Sequence, residues 1–160
     1  MKNKITEKIF DLIYTDSLTE TYNRKAYDER LHKLRRNRTI LDSIMVAVAV
    51  VRDLKELKSA YGQNTADEAV RIVAETLKKT IGERADIFRI SEDTFICISD
   101  KDIKSNVMQF MDYIKFENTD RAVKIDGSMS YLKFNPQKHS NIDDLIKNCE
   151  KKICDLKRKK

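Results

Sequence analysis

The stretch RISEDTF, residues 89–95, sets two carboxylates, Glu92 and Asp93, side by side between two short strand-like runs. Carboxylate oxygens in a tight turn are what a hard cation needs. A polar hairpin uses the same residues, because Asp is a common turn former. Other reactive side chains are sparse. Cys97 falls in an apolar strand-like run, and Cys149 and Cys154 are five apart in a helical segment. An odd count with no C-x-x-C spacing argues against a disulfide framework and against zinc. The expectation for all three is a small, buried, apolar side chain. His32 and His139 each lie among polar neighbours and are expected at the surface.

Positive charge is segregated. Residues 22–38 carry +5 net, and so do residues 145–160, against +6 for the whole chain, which leaves the remainder at −4. Such clusters suit a phosphate-binding face or a nucleic-acid surface. They also suit solvated helix faces, with cations favoured at the end of a last helix. The clusters carry no recognised nucleic-acid motif, so nucleic acid is not an expected partner.

Periodicity supplies the elements that must position these groups. Ile5, Ile9, Leu12 and Ile13 predict an amphipathic helix over 4–14. A second helix is expected from Tyr22 to Asn37. SIMVAVAVV, residues 43–51, predicts a central strand buried on both faces. A short helical piece follows at 53–60. Thr65 and Glu68 form a capping box for a helix reaching residue 81. DIFRI and TFICIS read as strands joined by the RISEDTF turn. Residues 102–115 return to helix, and 122–134 form a strand bent at Gly127. Asn141 caps a last helix that turns Ile142, Leu145, Ile146, Cys149, Ile153 and Leu156 inward. The resulting fold class is α+β, with a ferredoxin-like β-α-α-β-β-α-β core: a central antiparallel sheet, flanking helices and an extra N-terminal helix. Residues 1–15 are assigned to that helix, packed on its own domain, and 16–160 to one globular domain.

At 160 residues, 41% apolar and 36% charged, the chain suits a single folded domain rather than a disordered one. No apolar run has the length of a membrane span. Residues 1–10 mix charges with few apolar residues, unlike a signal peptide. The expected location is cytoplasmic, with no membrane partner.

Four segments, in order, resemble one family. DSLTETYNR (Asp16 to Arg24) is similar to the Asp-x-Leu-Thr-Gly-Leu-x-Asn-Arg opening of GGDEF domains, the diguanylate cyclases. YGQNTADEAV resembles their Tyr-Gly-His-x-x-Gly-Asp-x-x-Leu helix start. RISEDTF stands where they carry Arg-x-Gly-Gly-Asp-Glu-Phe. LIKNCEKKICDLKRKK is similar to their closing helix. The resemblance implies a reaction in which two domains, each holding GTP, form cyclic di-GMP. A ribose 3′-hydroxyl attacks an α-phosphate, helped by divalent metals.

Carried over residue by residue, the resemblance implies a degenerate site. The first metal-binding Asp falls on Val50 and its companion Asp on Arg52. Asp53 lies one residue along and is not taken as a ligand. The guanine-reading Asn falls on Lys58, while the second guanine contact is kept as Asp67. The phosphate-binding turn falls at Leu54 and Lys55. A γ-phosphate Lys is kept as Lys157, with Lys159 or Lys160 as substitutes for its Arg partner. In the signature, Ser91 and Glu92 replace the two glycines, Asp93 keeps the third-place acid, Thr94 replaces the Glu and Phe95 is kept. Glycine there would allow positive φ and close approach to the nucleotide. The Gly-Leu of the opening becomes Glu20-Thr21. The inhibitory product site, Arg-x-x-Asp, is expected to be absent, because Glu83 stands three before Asp86. The expectation is a regulatory module in bacterial signalling that senses a nucleotide or binds a protein partner or itself, with no catalytic residues, no resident cofactor and no metal. GTP is a candidate ligand through Asp67, Lys157, Leu54 and Lys55, and Mg2+ would come only with a nucleotide. The alternative is an active or altered nucleotidyl cyclase.

Overall fold

The computed structural model describes the backbone of residues 3–158 and the side chains of residues 3–156. Two helices come first, α1 (Lys4–Tyr14) and α2 (Arg24–Arg36). The core follows as β1 (Met45–Arg52), α3 (Leu54–Tyr61), α4 (Gln63–Thr80), β2 (Asp86–Arg89), β3 (Thr94–Ser99), α5 (Lys104–Glu117) and β4 (Asp126–Lys133). The last element is α6 (Ile142–Arg158). The four strands form one antiparallel sheet in the order β2-β3-β1-β4. This is the ferredoxin-like core expected from the order of elements.

The valine-rich run becomes the central strand because both of its faces are covered. Met45, Ala47, Ala49 and Val51 join a core cluster with Ala69, Val70, Val73 and Leu77 of α4 and Val107 and Phe110 of α5. Val46, Val48 and Val50 alternate to the other face. There they pack with Tyr27, Leu31 and Leu34 of α2 and with Ile142, Leu145 and Cys149 of α6. Arg35 clamps α2 to α6 through Asp143, with Nε at 2.9 Å and Nη2 at 2.7 Å from the carboxylate oxygens. The arginine holds the Asp143 carboxyl below the usual carboxylate range.

Several expectations need correction. Thr65 caps nothing: α4 starts at Gln63, directly after Gly62 (φ 94°), so Thr65 is inside the helix with its hydroxyl donating to the Tyr61 carbonyl. The last strand begins at Asp126, not at residue 122, and its pairing with β1 runs through Gly127 without a break. Gly127 pairs with Val51 and lies under α5, where an added Cβ would sit 3.6 Å from Ile114 and Val73. His139 is buried, not at the surface: its Nδ1 accepts the Asn135 N–H at 3.0 Å and its ring lies against Phe134. Cys97 and Cys149 are buried, and burial pushes both thiols up, but Cys154 is exposed. Leu156 is 45% exposed rather than inward.

Helix α1 has the expected bounds but buries none of its residues. Its last turn is tied down through the Asn23 amide donating to the Ile13 carbonyl and the Tyr14 hydroxyl to Glu29. Ile5, Ile9 and Leu12 stay exposed. Phe10 and Tyr14 face α2 across a shared cavity, while those three residues leave a stripe open to solvent. Among the described residues no helix is long and apolar enough to cross a membrane.

Candidate functional site

The candidate site forms where β1 ends. On one side of β1 lies β3 with the 90–93 turn, and on the other lies β4. The Val51 N–H donates to the Asp93 carbonyl at 2.8 Å, which seats the turn against the strand end. The turn is held from within. Ser91 Oγ and Thr94 Oγ1 both donate to Asp93 Oδ1, at 3.1 and 2.8 Å. Arg89 Nη2 donates to the Glu92 carbonyl at 2.9 Å, and Arg24 reaches the Ile90 carbonyl. Among the described non-glycine residues only Glu20 and Asp53 have positive φ. Ser91 and Glu92 therefore complete the turn without the backbone freedom that glycine supplies.

Val50, which the resemblance sets against the metal-binding acid, is 5% exposed and packed in the apolar layer toward α2 and α6. Arg52 follows on the same face of the strand. Its Nη1 donates to Ser128 Oγ at 3.3 Å, and its Nε lies 4.0 Å from Asp126. Asp53, at φ 54°, turns the chain from β1 into α3 and remains exposed. Phe95 is fully buried, a core residue rather than a contact for a ligand. Leu54 is buried at the start of α3, whereas Lys55 is exposed.

The two remaining replacements meet across the site. Lys58 Nζ, from α3, lies 3.9 Å from Glu92 Oε1 on the turn. In the expectation drawn from the resemblance, Lys58 stands at a guanine-reading position and Glu92 at a glycine. Asp67 accepts a hydrogen bond from Gln63 Nε2 at 2.7 Å. The backbone of Lys157 lies in the last turn of α6, but its side chain lies outside the described residues, as do Lys159 and Lys160. The structure thus brings Asp93, Glu92 and Lys58 to one corner, leaves Asp67 bonded within its own helix, and turns Arg52 toward β4. Among the described residues no three or more His, Cys, Asp or Glu side chains gather as metal ligands would. The corner offers one carboxylate already bonded to two hydroxyls, an exposed ion pair and a buried valine.

One structural centre escaped the reading of motifs. Asp16, from the opening segment, meets Arg89 at 3.1 Å, and the side chains are 21% and 13% exposed. Burial opposes the charge on Asp16, yet the hydroxyl and N–H of Thr19 and the Arg89 guanidinium outweigh it and hold the carboxyl below its usual range. The two segments are 73 residues apart. The signal available was a lone acid and a lone arginine at the ends of two motifs. The Lys58–Glu92 pair was more legible, since opposite charges replace two groups that the resemblance places around one ligand.

Comparison with known proteins fits this geometry. A family model described as "Diguanylate cyclase, GGDEF domain" matches residues 13–160. No curated protein matches the chain. Among solved structures, the FimX GGDEF domain from Pseudomonas aeruginosa superposes with a TM-score of 0.77 at 16% identity, covering 92% of this chain and 95% of that one. The coiled coil and GGDEF domain of DgcB from Caulobacter crescentus, in complex with c-di-GMP, gives 0.78 at 21%, covering 97% and 86%. Diguanylate cyclase SiaD in complex with its activator SiaC, also from Pseudomonas aeruginosa, gives 0.68 at 15%, covering 92% and 63%. At these identities the structural likeness speaks for the fold, and the family model, spanning nearly the whole chain, speaks for descent: the chain belongs to the GGDEF domain family.

Proposed function

We propose that this chain is a GGDEF domain without cyclase chemistry, acting in cyclic di-GMP signalling as a regulatory domain through contact with protein. The observation that carries this reading is Val50, buried at the strand end where the family places its metal-binding acid, with Arg52 beyond it. A valine offers no oxygen to a hard cation, and an arginine repels one. Losing the metal ligand removes a means of activating the 3′-hydroxyl rather than tuning it. The Lys58–Glu92 pair supports the same reading, because it puts a carboxylate beside the path of an anionic phosphate chain.

The apolar stripe of α1 supports a protein-contact role, with Ile5 64%, Ile9 50% and Leu12 83% exposed. SiaD is solved with an activator protein and DgcB with a coiled coil, and a second copy of this chain or another protein would suit that stripe in a comparable way. A second reading, nucleotide sensing, is favoured by the retained Asp67 on the first turns of α4. Thermal unfolding with GTP, ATP and cyclic di-GMP, each with and without Mg2+, separates the two. A ligand of the folded state adds about 2.7 kcal/mol at a hundredfold excess over its Kd. The proposal expects no shift with any of them. A GTP-specific shift that Asp67→Ala abolishes would move the role to nucleotide sensing. A cyclic di-GMP shift would overturn the reading that the product site is gone.

A further inference from the structure

A second cavity opens on the other side of β1 from the 90–93 turn. It lies between the end of α5, the start of β4 and the end of α6, with a volume of about 450 Å³. That volume suits a small organic ligand. Its walls divide into two kinds. Met111 and Ile114 of α5, Met129 of β4 and Leu156 of α6 supply apolar surface. Arg52, Lys115 and Lys124 supply cations, against one carboxylate, Asp126, among the described lining residues.

Arg52 is the informative side chain. It is about nine-tenths buried, with its side chain 10% exposed. A guanidinium carries five N–H donors. Among the described residues it spends one on Ser128 Oγ at 3.3 Å, while the Asp126 oxygen 4.0 Å from Nε is beyond hydrogen-bond range. With Asp126 at ion-pair distance and Ser128 on one donor, the guanidinium keeps further N–H groups that an anion in the cavity could take. Leu156 points to the same cavity from another direction. The periodicity of α6 turns it inward, yet it stands 45% exposed at the cavity mouth. Its apolar surface has no cover among the described residues, although the side chains before it on the same face are buried.

We propose that this cavity binds a small organic anion with an apolar body, its head on Arg52 and Lys115 and its body along Met111, Ile114, Met129 and Leu156. Arg52 stands where the resemblance sets the companion of the metal-binding Asp, so a cation here replaces a carboxylate at the strand end. The proposal is independent of whether the domain turns over GTP, because it uses the β4 side of β1 and none of Lys58, Asp67 or the 90–93 turn.

The test is isothermal titration and amide NMR of the full chain with octanoate, octyl phosphate, octanol and acetate as probes. The expected result is saturable binding of octanoate or octyl phosphate, at least fivefold tighter than octanol and than acetate, with amide shifts at residues 111–115 and 126–129. The preferred head group distinguishes a carboxylate from a phosphate ligand. Arg52→Gln should weaken binding at least fivefold, and Lys115→Gln, an exposed substitution that leaves folding intact, at least twofold. If Arg52→Gln fails to fold, Lys115→Gln decides. No saturable binding of either anion at millimolar concentration would overturn the proposal. So would octanol binding as tightly as the anions, or unchanged affinity in every folded variant.

Discussion

Asp16 and Arg89 hold the opening segment to the edge of the sheet, and their chemistry sets a measurable acid response. The Asp16 carboxyl is depressed below its usual 3.8, so the stability it contributes is present above that value and is lost as pH falls through the folded-state value. Asp16→Asn should cost about 1–2 kcal/mol near neutrality, and the gap from the wild type should close at acid pH. Urea unfolding at pH 7 and pH 3 checks both. Glu20 offers the opposite case. It holds φ 60° where the family has glycine, and left-handed backbone is strained for a residue with a Cβ. Glu20→Gly should therefore raise stability by about 1 kcal/mol, read as a higher unfolding midpoint. At this scale the sequence was legible wherever a motif gave a residue its place. Val50, Lys58 and Glu92 could be read because a side chain of the wrong chemistry stood at a known position. His139 could not, because its burial depends on a loop folding back so that its own ring nitrogen accepts the Asn135 N–H.

Elements were more legible than their ends. The valine run of β1 and the three-and-four spacing of α4 and α6 are imposed by burial on the sheet, and burial writes itself into residue type. Ends depend on local competition. Thr65 and Glu68 have capping-box spacing, but Gly62 joins α3 to α4 so closely that the helix has begun before them. Asn141 does cap α6, with its Oδ1 accepting the Asp144 N–H at 2.9 Å. Asn141→Ala should lower stability by about 1 kcal/mol in chemical denaturation, while Thr65→Ala should change it by less than about 0.5 kcal/mol. Equal losses at the two positions would contradict this assignment of caps. The reshaped turn at 90–93 belongs to this scale too. Its hydroxyl–carboxylate bonds do the holding, so Ser91→Gly should loosen it rather than restore a nucleotide site.

For the whole molecule, the sheet, its order and both helical layers are those of a GGDEF domain, and the corner at the end of β1 holds a buried valine and the Lys58–Glu92 pair, which the proposed function reads as a lost site. The fold survives this exchange because the core lies in the two faces of β1, not in the site residues at its end. The exposed stripe of α1 was only half legible: its amphipathic spacing was plain, but its exposure was not. Leu12→Glu should leave the unfolding midpoint unchanged while abolishing any self-association or partner binding seen by light scattering. The account stands most directly on catalysis. Purified chain should be incubated with GTP and either Mg2+ or Mn2+, and the products separated by chromatography. No cyclic di-GMP above the protein-free blank is the predicted result. Formation of cyclic di-GMP at a rate proportional to protein concentration would contradict the central claim.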